Sequence, residues 1–146
     1  MLTILPFIAI IFIIYITFFI GWKVGNGVQD EVVPARKYLI FGMDALLAIS
    51  VGLALYSYGQ MWLAIGVPVV LVVLRRWLAI AYAPVAGIVA AAATLLPAGT
   101  QATVYTLLLV LAFLQGVTTK KLKLLLQRSA WMPMTALPLY AALTFF

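Results

Sequence analysis

The chain has 146 residues, 67% of them apolar and 8% charged, too few polar side chains to coat a water-facing domain, where the usual shares are about 45–50% and about 25%. Its net charge of +6 is spread over nine Lys and Arg residues in three short segments between apolar runs, which is loop charge rather than a nucleic-acid-binding stripe. The absence of Cys and His excludes disulfides, thiolate chemistry and the commonest metal ligand and general base.

These exclusions leave an all-α, polytopic transmembrane bundle, one domain over residues 1–146, in the cell membrane. Apolar runs near 20 residues recur, and about 20 helical residues cross a ~30 Å hydrocarbon core. The runs are continuous, without the period-2 alternation of a transmembrane β-barrel.

Residues 2–22 form the first run. It lacks a basic leader and a small-residue cleavage pattern, so a retained span is expected rather than a signal peptide. Pro6 sits in the first turns, where proline is tolerated, and Trp22-Lys23 marks an interface. Residues 24–37 read as a polar loop. Gly25-Asn26-Gly27 offers turn chemistry, and Pro34 disfavours helix at Val33. The next helix is therefore expected to begin near Pro34 or Ala35 and to span 38–56. An uncharged turn, Tyr56-Ser57-Tyr58-Gly59-Gln60, closes it.

The third run, 61–74, contains Pro68 and is short enough that a tilted span and a re-entrant segment both stay open. Snorkelling of Arg75 and Arg76 would extend it by a turn. The fourth run is 77–96, with Pro84 inside and Pro97-Ala98-Gly99-Thr100 after it, and the fifth is 101–117. Residues 118–130 then carry Lys120, Lys121, Lys123 and Arg128, before a last run, 131–146, with Pro133 and Pro138.

Charge parity sets the expected topology. Lys23, Arg36 and Lys37, then Arg75 and Arg76, then the four basic residues of 118–130 occupy alternate connections. The other two connections carry no charge. If every run spans, all the basic residues share the cytoplasmic side, giving six spans with both termini outside. The repeated pattern of basic pair, span, uncharged turn and span follows from this rule without a tandem duplication.

Asp44 is the sharpest single feature. It lies seven residues beyond Lys37, roughly 10 Å along a helix, inside an apolar run where a carboxylate is costly. Asp44, Ala48 and Gly52 share one helix face, so Asp44 is expected to point into the bundle as a proton- or cation-binding carboxylate. The alternative is a structural carboxylate bonded to a neighbouring helix or to Arg36 or Lys37. Ala83, Gly87 and Ala91 form a second small-residue stripe suited to close helix contact, within the chain or between protomers. Lys120, Lys121, Lys123 and Arg128 are candidate contacts to anionic lipid headgroups. Leu122, Leu125 and Leu126 group opposite Lys120, Lys121 and Arg128, as in an interfacial helix.

Asp30 and Glu31 raise the question of a lipid-modifying enzyme. Paired acids in a loop are usually only solvated, and no D-x-x-D spacing, Walker loop or G-x-G-x-x-G is present, so neither a metal nor a cofactor is expected. Three classes remain: an oligomeric ion or small-solute transporter or channel using Asp44; a non-catalytic subunit or scaffold of a larger membrane complex; and, third, the enzyme. The expected surroundings are the bilayer, its anionic lipids, and either further copies of the chain or other membrane subunits. Nucleic acid is not among them.

Overall fold

The computed structural model describes residues 4–78 and 82–145, all organised as helices and short turns. Six helices follow in order: α1 (Ile4–Gly27), α2 (Gln29–Ser57), α3 (Met61–Leu78), α4 (Tyr82–Ala93), α5 (Ala98–Thr118) and α6 (Leu122–Phe145). Among the described residues, α1, α2, α3 and α5 are long and apolar enough to cross a membrane. Helix α4, as described, is shorter, at 12 residues. Portions of the expected first, fourth and last runs, residues 2–3, 79–81 and 146, lie outside the described residues.

Lipid is as apolar as leucine, so helices in a membrane are drawn together by close backbone approach rather than by burial of hydrocarbon. Two helix pairs follow that rule. On α1, a Cβ added to Gly25 would lie 2.7 Å from Val117 Cα of α5, and one added to Gly116 of α5 would lie 2.8 Å from Trp22 N of α1. On α4, Gly87 faces α6 so closely that an added Cβ would sit 2.5 Å from the Met132 carbonyl oxygen. Its stripe mates Ala83 and Ala91 are fully buried, so the Ala83–Gly87–Ala91 stripe is an intrachain contact. The Thr135 hydroxyl of α6 can donate to the Pro84 carbonyl at 3.1 Å.

Helix α5 packs against α1, α2 and α4, while α6 lies across α1 and α4. A stacked Phe7–Tyr140 ring pair, 4.2 Å between centroids, joins α1 to α6. Helix α3 stands apart. It packs mainly on α2, where Gly52 admits the Ala64 carbonyl to 3.0 Å of a would-be Cβ, and Pro68 is its only buried residue.

Two sequence expectations need correction. The polar stretch 24–37 is not a loop: α1 runs on through Gly27, Val28 alone is non-helical, and α2 starts at Gln29. Gly25 is small because α5 touches it, not because a turn needs positive φ; the one positive-φ glycine among the described residues is Gly59 (φ 75°), in the expected uncharged turn. Pro34 withdraws a donor from the Asp30 carbonyl, yet Asp30 is exposed, so water can take that hydrogen bond. The second correction concerns 118–130. Only Thr119, Lys120 and Lys121 are non-helical, and Leu122 opens a helix that continues through Pro133 and Pro138. No separate interfacial helix forms, and of its three leucines only Leu125 is buried.

Gly87→Leu should disrupt this bundle far more than Ile88→Leu, because Ile88 is exposed while a leucine at 87 must push the α4 and α6 backbones apart. Overpacking typically costs about 1–3 kcal/mol. Thermal unfolding in detergent measures the difference, and equal stabilities would contradict the α4–α6 contact.

Candidate functional site

The chain brings its basic residues to one end of the bundle. The α2–α3 hairpin returns Arg75 and Arg76 to the level of Asp44, about midway along α2, and the end of α5 arrives beside them at Thr118. Two adjoining cavities mark this end. One, of about 40 Å³, is lined by Asn26, Gln29, Arg36, Thr119 and Lys120 among others. The other, of about 170 Å³, is lined by Arg36, Ile40, Met43, Arg75, Tyr82, Thr118 and Arg128.

Asp44 borders this end and is 3% exposed. It points into the bundle, as its helix face requires, and its partners come from α3 and α4. Arg75 Nη2 forms an ion pair with Asp44 Oδ1, and Arg76 Nε donates to Oδ2 at 2.9 Å. The Tyr82 hydroxyl donates to Oδ1 at 2.8 Å. Consecutive helical residues diverge by about 100°, so the two arginines straddle the carboxylate from opposite sides. Arg75 enters the bundle with its side chain 11% exposed, and Arg76 stays 55% exposed. The Arg75 guanidinium lies 4.0 Å over the Tyr82 ring, within range of a cation–π attraction. Its Nε is buried without a protein partner.

The charge balance decides what such a site favours. One carboxylate faces two guanidiniums, and Arg36 and Arg128, exposed at the rim of the larger cavity, add two more. The cluster carries a positive surplus. A cation approaching Asp44 would have to displace two fixed guanidiniums, whereas an anion in the cavity meets three. Guanidinium forks suit phosphate and carboxylate groups, which accept two parallel hydrogen bonds.

The other sequence candidates distribute as follows. Ala48 and Asp44 line a groove between α2 and α3 together with Pro68 and Arg76, and Gly52 meets α3 farther along. Lys120, Lys121, Lys123 and Arg128 are all exposed, and of these Arg128 lines the larger cavity. Asp30 and Glu31 sit exposed in the first turn of α2 and line neither cavity. Sequence reasoning missed Tyr82, Arg75 and Arg36 as members of one site, and it missed the Gly21-x3-Gly25 signal that seats α1 on α5. No protein-family model matches the chain, and comparison with curated proteins and with solved structures finds no match.

Breaking the cluster should be costly from its acidic side. Asp44→Asn leaves Arg75 buried beside a neutral amide, and removing one partner of a buried ion pair costs about 3–5 kcal/mol. Arg76→Gln should cost much less, because Arg76 is half in solvent and Arg75 still neutralises Asp44. Melting temperatures of the two variants in detergent check this ordering; the reverse order would contradict the geometry.

Proposed function

We propose that the protein is a multi-pass protein of the cell membrane that binds an anionic solute at its basic end, as a small ion or solute transporter. The observation that carries this reading is the convergence of Arg36, Arg75 and Arg128 on one cavity, with Asp44 holding Arg75 in place. In this reading Asp44 is the fixed counter-charge of the site, not a carrier of cations. The basic end faces the cytoplasm, six helices span, and both termini lie outside, in keeping with the positive-inside rule.

A second reading is a non-catalytic subunit or scaffold of a larger membrane complex, built with further copies of the chain or with other subunits. It is favoured by α3, of which only 6% of the apolar span is buried within the chain. Anion selectivity separates the two readings, because a scaffold has no need of one.

Liposomes containing the protein and loaded with labelled phosphate should release it faster than they release K⁺. Arg36→Gln with Arg128→Gln should slow phosphate release by about tenfold or more, since a hydrogen bond to a charged group contributes about 1.5–3 kcal/mol. Faster K⁺ release, or release indifferent to the double variant, would overturn the anion reading.

Orientation has its own test. Cysteines introduced by Gln60→Cys and Thr100→Cys should react with an impermeant thiol reagent in intact cells, while Lys37→Cys and Lys121→Cys stay silent. The opposite pattern would invert the topology.

A further inference from the structure

An apolar groove of about 440 Å³ runs along α3, with Val85 of α4 in its lining. It is lined by Leu63, Gly66, Val70, Leu74 and Val85 among others, and Arg75 belongs to the same lining. That arginine also lines the cationic cavity with Arg36, Tyr82 and Arg128. One guanidinium is therefore shared between a hydrocarbon-lined groove and an anion-favouring cavity.

We infer that groove and cavity together form a binding site for an anionic phospholipid, its phosphate in the arginine cavity and one acyl chain along α3. The inference rests on the anion reading of the cavity and extends it to a lipid-borne anion. Three observations carry it. The lining on α3 runs from Leu63 to Arg75, twelve helical steps or about 18 Å at 1.5 Å per residue, which matches the depth of one leaflet, about half of a ~30 Å core. The charge is complementary: the positive surplus sits at one end of the groove, where a headgroup would sit with its chain in hydrocarbon. The Arg75 guanidinium offers a buried, unpartnered Nε; a ligand phosphate is the type of acceptor that a guanidinium fork takes up.

Gly66 keeps the groove open. A Cβ added there meets nothing within 4 Å, so a larger side chain at this groove-lining position departs from the backbone into open space and projects into the groove, and glycine in a helix interior is replaced at no cost in propensity.

The test is equilibrium binding to the detergent-purified protein, with dioctanoyl phosphatidic acid and inorganic phosphate as separate probes. The wild-type chain should bind the lipid at least about tenfold more tightly than phosphate, because burying only a few methylenes supplies that factor. Gly66→Phe should bring lipid affinity down to the level of phosphate while phosphate binding stays unchanged. Arg36→Gln with Arg128→Gln should weaken both probes. If phosphate binds but the lipid binds no more tightly, or if Gly66→Phe leaves lipid affinity intact, the lipid site is overturned and the anion reading stands. If neither probe binds, the anion reading itself falls, and the lipid site with it.

Discussion

A carboxylate buried among apolar helices is the constraint on which the rest of this structure depends. Asp44 cannot stay charged in hydrocarbon without partners, because the desolvation penalty is several kcal/mol per ion even after relaxation. Its partners come from two other helices: Arg75 and Arg76 from the end of α3, and Tyr82 from the start of α4. The cluster thereby ties three helices together at one end of the bundle. It also fixes Arg75, which would otherwise snorkel toward water, inside the bundle and over the Tyr82 ring. The arginine cavity exists because that side chain is held.

The helices fall into two groups by what holds them. Helix α1 is joined to α5, and α4 to α6, by backbone approach at Gly25, Gly116 and Gly87, contacts that tolerate no larger residue. Helix α3 has a looser apolar seam with α2, and the ion pair holds its far end. An element with so few buried side chains sits at the low end of local stability. It is also the element that separates the apolar groove from the groove lined by Ala48 and Asp44. The helix with the fewest buried side chains thus also carries the two arginines that pair with Asp44.

Much of the architecture can be read from composition alone. Four helices long and apolar enough to span, and the uncharged turn at Gly59, appear in the structure where hydropathy and turn chemistry put them. The expected fourth run, 77–96, does not, because Trp77 and Leu78 belong to α3 and α4 as described ends at Ala93. The stretch 24–37 misleads because turn propensity there loses to packing: Gly25 is needed where α5 touches α1, and the exposed position of Asp30 removes the penalty that Pro34 would otherwise impose. The segment 122–128 misleads because its leucines share a face by periodicity, yet only Leu125 meets the bundle. The Asp44 latch was legible and lay in the hairpin. Asp44 stands 15 residues before Gly59, and Arg75 and Arg76 stand 16 and 17 after it, so an antiparallel pair folded at Gly59 sets them opposite one another. Tyr82 and Arg128 carry no such signal, because which helices neighbour α2 depends on backbone contacts that hydropathy does not encode.

The claim that Asp44 and Arg75 hold the site together is tested most directly by a double-mutant cycle. Stability in detergent would be measured for Asp44→Asn, Arg75→Gln and the combination. Side chains in direct contact give interaction energies of about 0.5–3 kcal/mol, and a buried pair with two further donors belongs at the upper end. The double variant should therefore be far less damaged than the sum of the single losses. Strictly additive losses would mean that the two side chains do not meet, and the latch, with the cavity it shapes, would have to be abandoned.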